Sequence, residues 1–353
     1  MARPLVCIDL GSKNIKAAVL KSRLDGDKEI LLSKFGIVDT PEKGLVNIFS
    51  DRPISRPKEV LQKMKELVTK VGVKGYDAIL MIPDYMVVVN WLNMPVKAKD
   101  AIEKSIPTTL SPLLPLELDK WFYDYQIVED SKKQTTVIVQ AILKTNLFDL
   151  GDLVANAGLN VMTIDSTFFN LMNLLHPYIS DPEIEKKNIA VVYLGAEATS
   201  IAFIKEGIIK SSRSIPIGGS AFTKLIMEAK RVDETAAEKI KKEEEIFVKD
   251  NPDKQNKVEL YNIIKPSFGE LVKGIYNSID QYLARFREFK IHEIVLCGGT
   301  STFRNINVAM QLHLNTKTTM LAELVKINSG GRTPMTEDEK CIMQCAVGGL
   351  LRK

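Results

Sequence analysis

The sequence is poor in the residues that build metal centres and disulfide frameworks. Its 353 residues include four cysteines, three histidines and two tryptophans. Cys341 and Cys345 stand one helical turn apart in an apolar segment, and no second cysteine pair or histidine cluster accompanies them. This pattern favours buried thiols in a reducing cytosol over a zinc site or disulfides.

Long apolar runs and a strong charge imbalance are also missing. No apolar run reaches the roughly 20 residues that span a bilayer. Pro4 and Asp9 interrupt the apolar residues at the N-terminus, so we expect neither a signal peptide nor direct membrane insertion. The net charge is +4, with charged residues of both signs making up 26% of the chain. This is too mild to indicate a nucleic-acid partner, while the length suffices for two cored domains.

The first apolar stretch, residues 5–20, has the pattern of a β-hairpin with a polar tip. The glycine loop of a Rossmann or P-loop site leads into a helix, whereas residues 15–20 read as a returning strand. Such a tip offers backbone N–H groups to an anion, and Asp9 stands where it would hold the water shell of Mg²⁺. An ordinary N-terminal hairpin fits the stretch equally well. The candidate phosphate-binding residues are Gly11, Ser12, Lys13, Asn14 and Lys16.

The second half of the chain repeats this pattern. Residues 190–204 contain an apolar strand, the turn that begins Gly195-Ala196, and a returning apolar strand. A third buried strand, residues 293–297, meets the turn Gly298-Gly299-Thr300. A duplicated hairpin implies two similar halves that face each other.

Three glycine turns after three buried strands, in this order, resemble the actin/Hsp70/sugar-kinase ATPase fold. The resemblance implies an α/β protein in which two RNase H-like halves close around one nucleotide, with ATP and Mg²⁺ as cofactors. It also implies that the two hairpins bind the phosphates and that the Gly298-Gly299-Thr300 turn binds the adenosine.

Residues 84–158 interrupt the first half with a predicted strand, helix, hairpin and second helix, closed by Gly158. The turn before Pro95, the Leu-Pro-Leu-Glu-Leu segment at 114–118 and the aromatic strand at 123–126 resemble the PilM family of type IV pilus assembly proteins. In FtsA, the cell-division actin homologue, a differently placed subdomain fills this position. The resemblance implies these subdomains: 1A at 1–83 and 159–176, the FtsA/PilM-type insertion 1C at 84–158, 2A at 177–217 and 290–353, and 2B at 218–289.

The same resemblance assigns further site residues. Gly218-Gly219 forms a hinge before a helix, and Glu238 and Lys241, three residues apart on one helix face, reach the ribose hydroxyls. Asp165 precedes the helix that crosses between the halves, where it would orient the attacking water beside the catalytic Asp9. From the residues alone, Asp165 is as typical of a helix N-cap, and an acid and a lysine at this spacing are common on surface helices.

One position departs from the family pattern. The second hairpin of most relatives carries an acid before its Leu/Ile-Gly, and here that position is Tyr193. The missing carboxylate would otherwise share the metal. We therefore expect ATP binding with slow or absent hydrolysis, which would rest on Asp9 and Asp165 alone.

The resemblance also implies a partner. PilM-like proteins lie on the cytoplasmic face of the inner membrane and bind the extended N-terminal tail of the membrane protein PilN between the first subdomain and the insertion. The protein would thus be cytoplasmic and peripheral to the membrane through that partner; self-association stays open. Each candidate contact fits the protein core equally well. The candidates are Val87, Val89, Trp91, Trp121 and Phe122.

Three alternatives remain at this point. An FtsA-like filament scaffold of cell division or of a related secretion system is the first. A sugar or acyl kinase of the same fold needs a catalytic Asp aimed at a substrate hydroxyl and a polar sugar site, and neither is evident. A scaffold that has lost its nucleotide is the third, given Tyr193.

Overall fold

The structure is a computed structural model, and it describes residues 3–24, 26, 29–46, 48–95, 98–131, 134–243, 254–331 and 334–352, with the backbone alone for 254–259. The strands are β1 (Leu5–Leu10), β2 (Asn14–Leu24), β3 (Glu29–Asp39), β4 (Asp77–Ile82), β5 (Val88–Met94), β6 (Trp121–Asp130), β7 (Thr135–Leu143), β8 (Asn160–Ser166), β9 (Ile189–Leu194), β10 (Thr199–Lys205), β11 (Ile208–Ile215), β12 (Glu293–Cys297), β13 (Thr318–Met320) and β14 (Lys326–Ser329).

The helices follow the same chain order. They are α1 (Pro57–Val71), α2 (Lys99–Leu110), α3 (Lys144–Asn156), α4 (Thr167–Ile179), α5 (Pro182–Glu185), α6 (Gly219–Lys230), α7 (Glu234–Glu243), α8 (Lys254–Phe286), α9 (Ile306–Leu314), α10 (Leu321–Leu324), α11 (Glu337–Ile342) and α12 (Gln344–Leu350). None of the described helices is long and apolar enough to cross a membrane.

Two sheets form the two halves of the protein. The first has six strands in the order β14-β3-β2-β1-β4-β8, and the second has five in the order β11-β10-β9-β12-β13. In each sheet an antiparallel hairpin, β1-β2 or β9-β10, leads into a parallel neighbour, β4 or β12. The duplication predicted from the sequence is therefore a duplication of strand topology.

The main core lies between these sheets. The odd-numbered residues of β1 and β4 point into it from one side, and those of β9 and β12 point into it from the other. Helices α4 and α12 fill the space between the sheets with buried apolar side chains such as Leu171, Leu175 and Val347. This shared core fixes the halves side by side and leaves the carboxyl ends of β1, β9 and β12 at one edge, where ligands bind in α/β sheets.

The insertion is a separate three-stranded sheet in the order β5-β7-β6. Its elements follow the predicted succession β5, α2, β6, β7, α3. Leu92, Ile102, Ile106 and Val139 anchor α2 on one face of this sheet. The insertion also contacts the second half, because Trp91 Nε1 donates to the Ile209 carbonyl at 3.0 Å and Lys210 pairs with Glu129 at 2.9 Å.

Helix α8 is continuous through Pro266, so this proline does not divide it. The structure differs from the sequence-based expectations in two places. Asp165 lies in β8, and Ser166 rather than Asp165 holds the N-cap position of α4. The C-terminal part of the range 290–353, assigned to subdomain 2A, returns to the first half, because β14 pairs with β3 and α12 packs on α4 and β1. A four-residue strand carries no signal of which sheet it joins.

Candidate functional site

The two hairpin turns are built alike. Residues 11–14 connect β1 to β2 and residues 195–198 connect β9 to β10. In the first turn the Gly11 N–H donates to the Asn14 carbonyl at 3.1 Å, and in the second the Gly195 N–H donates to the Ala198 carbonyl at 3.0 Å. The pseudo-equivalent pairs below the turns are Asp9 with Lys16, and Tyr193 with Ser200.

The glycine turns of the second half pack directly on one another. The Gly195 carbonyl accepts from the Gly219 N–H at 2.9 Å and from Thr300 Oγ1 at 2.9 Å. The Ala196 carbonyl accepts from the N–H of Ser220, in the first turn of α6, at 2.8 Å. Thus the second hairpin, the start of α6 and the turn after β12 form one cluster of backbone, although about 100 residues separate its parts.

Close backbone approach explains the glycines of this cluster. A Cβ at position 218 would lie 2.4 Å from the Ala196 carbonyl oxygen, which no side chain tolerates. Gly298 has φ +91, and a Cβ there would lie 2.6 Å from the Leu194 carbonyl oxygen. Both contacts are to backbone, so a larger residue would push the turns apart.

A buried ion pair occupies the base of the first hairpin. Lys16 Nζ lies 2.9 Å from Asp9 Oδ2, and the two side chains are only 8% and 1% exposed. A Cβ on Gly11 would lie 2.7 Å from the same Lys16 Nζ, so the ammonium group sits directly beneath the turn. At the tip, Lys13 forms an ion pair with Glu234 of α7 across the cleft.

Glu238 and Lys241 form the predicted pair on α7. Lys241 Nζ donates to Glu238 Oε1 at 2.6 Å and to Thr223 Oγ1 of α6 at 2.8 Å. Burial acts to raise the pKa of Glu238, but attraction by Lys241 and hydrogen bonds from Lys241 and Thr223 hold that pKa below its usual value. The pair lies against the Gly219 carbonyl and so adjoins the glycine cluster.

Tyr193 lies at the base of the second hairpin, opposite Ser200. A Cβ on Gly298 would meet its ring at 2.9 Å, and its hydroxyl is hydrogen-bonded to Cys345. Burial, with smaller effects of Cys345 and Asp9, raises the Tyr193 pKa far above its ordinary value. The phenol stays neutral and supplies no negative charge to the second hairpin.

The two acids proposed as catalytic are both neutralised by basic partners. Lys16 pairs with Asp9, and Arg352 Nη1 lies 2.5 Å from Asp165 Oδ2. Asp165 lies on the same sheet face as Asp9, since both are in register with Met81. The structure therefore brings the two carboxylates to one side of the sheet and gives each a cation of its own.

A third carboxylate at this place was not foreseen. Asp84 follows β4 by two residues, and its Oδ2 accepts from Ser200 Oγ at 2.8 Å while its Oδ1 accepts from the Phe168 N–H at 3.1 Å. Burial is the main cause that raises its pKa to about 6, and the neighbouring Asp9 and Asp165 add to the effect. The sequence around Asp84 holds no motif, so only Pro83 at a strand end marked the place.

The residues present fit a phosphate-bearing ligand better than a resident metal. Lys13 and Lys16 flank the first turn, and the Glu238–Lys241 pair offers an acceptor and a donor suited to hydroxyl groups. Within the described part of the chain, no group of three or more His, Cys, Asp or Glu could hold a metal ion. A Mg²⁺ here would depend on ligand phosphates and water for most of its coordination.

The predicted partner contacts fall into two places. Trp91 lies at the junction with the second half, beside Phe169 and the Ile209 carbonyl. Val87 packs against the apolar cluster that the first sheet forms with α1 and α3. Val89 lies on the face of β5 that carries Trp91. Trp121 and Phe122 belong to a different surface, where β6 meets the first half.

At that second place, aromatic side chains from both subdomains meet in what we call the junction patch, namely Phe49, Trp121, Phe122 and Phe148. Phe49 stacks on Trp121 with ring centroids 5.6 Å apart, and Phe122 meets Phe148 edge-on at 6.1 Å. Phe122 and Phe148 are 43% and 63% exposed, whereas Trp121 is 3% exposed, and none of the described residues is a hydrogen-bond partner of its Nε1. Phe49 and Phe148 carried no recognisable signal in the sequence.

Comparison with known proteins agrees with this architecture. A family model described as type IV pilus assembly protein PilM matches residues 7–353. Among solved structures, a PilM-PilN type IV pilus biogenesis complex is 17% identical, covers 98% of both chains and gives a TM-score of 0.81. The ethanolamine utilization protein EutJ of Carboxydothermus hydrogenoformans is 16% identical, covers 98% of this chain and 88% of its own, and scores 0.55. MreB5 of Spiroplasma citri bound to AMPPNP is 15% identical, covers 99% and 95%, and scores 0.54.

The fold and the cleft thus define a protein of the actin-like ATPase fold, which confirms the fold class predicted from the glycine turns. The family model covers nearly the whole chain. The chain belongs to the PilM family of type IV pilus assembly proteins, as the insertion predicted.

Proposed function

We propose that this chain is an ATP-binding scaffold of the type IV pilus inner-membrane assembly complex that binds the N-terminal tail of a PilN-like membrane protein. The observation that carries the nucleotide part is the cluster of the second hairpin, the Gly218-Gly219 turn and the Gly298-Gly299-Thr300 turn. The first hairpin faces the same half of the protein, since Lys13 at its tip pairs with Glu234 of α7. MreB5, which shares the fold, is bound to AMPPNP in its solved structure.

In this proposal each part of the cleft has its own role. Lys16 and the backbone of Gly11, Ser12 and Gly195 would hold the phosphates, and Glu238 with Lys241 the ribose. Mg²⁺ would enter with the nucleotide and face Asp9 through water, and it would lower the charge on the phosphates. The remaining assigned positions, Lys13, Asn14 and Ala196, would border the ligand.

Slow or absent turnover follows from the charges in the cleft. Tyr193 supplies no carboxylate, and the ion pairs with Lys16 and Arg352 already engage Asp9 Oδ2 and Asp165 Oδ2, which an attacking water would otherwise contact. The nucleotide would then serve as a structural or regulatory ligand.

The partner part of the proposal rests on the junction patch. The patch lies between the two subdomains and has exposed aromatic rings at its surface. Beneath them is the buried Trp121 Nε1, which donates a hydrogen bond to no group in the described part of the chain. An extended peptide could place apolar side chains among the rings and accept a hydrogen bond from the indole with a backbone carbonyl. A solved relative is a complex of PilM with PilN. Through such a tail the protein would be held at the cytoplasmic face of the inner membrane.

Calorimetric titration of ATP with Mg²⁺ tests the nucleotide part. Lys241→Ala should weaken binding by tenfold or more, because Glu238 loses its cation beside the ribose position. Lys242→Ala is the matched control on the same helix, since Lys242 pairs instead with Asp338 of α11 at 3.1 Å and should leave binding unchanged. Equal affinities of wild type and Lys241→Ala would contradict this placement of the ribose.

A further inference from the structure

Two consecutive residues, Asp84 and Tyr85, stand where the chain leaves the first half for the insertion. β4 ends at Ile82, residues 84–86 form a short 3-10 helix, and β5 begins at Val88. The second crossing, from α3 into β8, lies at the other end of β4, where Asn160 is in register with Asp77. The crossing at Asp84 is therefore the one beside the cleft.

These two residues contact both hairpins. Tyr85 Oη lies 3.0 Å from Ser12 Oγ, at the tip of the first hairpin. Asp84 accepts a hydrogen bond from Ser200, the residue opposite Tyr193 in the second hairpin, and another from the N-terminal turn of α4. A ligand that draws the hairpins onto its phosphates must shift or break these contacts.

The charges around Asp84 make its hydrogen bond with Ser200 sensitive to an anionic ligand in the cleft. It faces Asp9 of β1 and Asp165 of β8, which are paired with Lys16 and Arg352. Among the contacts of the described residues, Asp84 itself is held by a hydroxyl and a backbone N–H. A carboxylate without a counter-ion repels incoming phosphate and attracts the cation that accompanies it.

Movement at this crossing reaches the insertion directly. The 3-10 helix continues into β5, a seven-residue strand that runs the length of the small sheet. β5 carries Trp91, whose indole is bonded to β11 of the second half. Residues 84–91 thus form one continuous segment that contacts the second half at two points, Asp84 through Ser200 and Trp91 through Ile209.

We propose that Asp84 and Tyr85 couple nucleotide in the cleft to the position of the insertion, and through it to the affinity for the partner tail. This rests on the proposed function and adds its regulation. By reciprocity, the tail must change nucleotide affinity by the same factor.

Pulsed dipolar electron paramagnetic resonance on the whole chain tests the coupling. The four native cysteines are buried, so spin labels can be directed to cysteines introduced at Lys120 of the insertion and Lys224 of α6, which are 53% and 77% exposed at their side chains. The label distance is measured with and without ATP and Mg²⁺, in wild type and in the double variant Tyr85→Phe/Ser200→Ala. These changes remove two hydroxyl groups and leave the carboxylate in place.

We expect ATP with Mg²⁺ to shift the distance distribution of the wild type and to leave that of the double variant unchanged, although calorimetry still detects binding. Lys210→Gln, which breaks the pair with Glu129 far from the hairpins, should alter the starting distribution and keep the shift. A shift of wild-type size in the double variant would overturn the coupling, as would a wild type that binds nucleotide without any shift. Absence of binding in the wild type would overturn the proposed function itself.

Discussion

The ionised carboxylate of Asp84 should destabilise the folded protein at neutral pH. Its pKa is about 6 in the folded state against an ordinary 3.8, chiefly because it is buried. One pKa unit corresponds to about 1.4 kcal/mol, so ionised Asp84 costs roughly 3 kcal/mol of unfolding free energy at pH 7. The folded state binds the proton more tightly, so this cost is complete above pH 6, falls to about half at pH 5, and vanishes below pH 4.

The variant Asp84→Asn removes this charge. The amide retains one acceptor oxygen, whereas the carboxylate accepts from both Ser200 and the Phe168 N–H. The loss of one of these hydrogen bonds lowers the gain in unfolding free energy by about 1 kcal/mol. We therefore expect the variant to be about 2 kcal/mol more stable than wild type at pH 7.5, with most of this advantage gone at pH 5.

Urea unfolding followed by far-ultraviolet circular dichroism at both pH values measures the difference. A matched variant at a paired acid, Asp165→Asn, loses the attraction of Arg352 and should not gain stability at pH 7.5. An Asp84→Asn variant that is less stable than wild type at pH 7.5, or an advantage that does not change with pH, would refute the argument.

Substitutions centred on Lys16, Tyr193 and Phe148 test the first hairpin, the second hairpin and the junction patch. Lys16→Met leaves Asp9 buried without its cation and should cost about 3–5 kcal/mol in urea unfolding, much of which Asp9→Asn in the same chain should restore. Tyr193→Phe should change the unfolding free energy by less than about 1 kcal/mol, whereas Tyr193→Asp, which loses the packed ring and buries a charge beside Asp9, should cost at least about 3 kcal/mol. Phe148→Ser should leave stability within about 0.5 kcal/mol, because the ring is 63% exposed, yet weaken binding of a synthetic PilN-like tail roughly tenfold in fluorescence anisotropy.

The hairpins and the insertion could be predicted because their signals are local. An apolar strand, Leu-Gly and a second apolar strand specify a hairpin, and the recurrence of Leu10-Gly11 as Leu194-Gly195 specified its duplicate. Alternating apolar residues and turn residues likewise indicated the order of strands and helices in 84–158.

Other features could not be predicted because they depend on distant contacts. Asp84 gains its role from Ser200, which is 116 residues away and carries no motif. The ion pair of Asp165 depends on Arg352 near the other end of the chain, and β14 reaches the first sheet only after the second half is complete. Glu238 and Lys241 were predicted as ribose-binding residues from the family resemblance. Their spacing alone is equally typical of an acid and a lysine on any exposed helix.

The central claim is that the glycine turns of the two halves enclose one nucleotide. A crystal structure of the protein grown with AMPPNP and Mg²⁺ tests it most directly. We expect density for the phosphates between the Gly11 and Gly195 turns, with the ribose beside Glu238 and Lys241. An empty cleft at saturating AMPPNP, or nucleotide bound elsewhere on the surface, would contradict a nucleotide site between the two halves. The partner tail would then be the ligand on which the function depends.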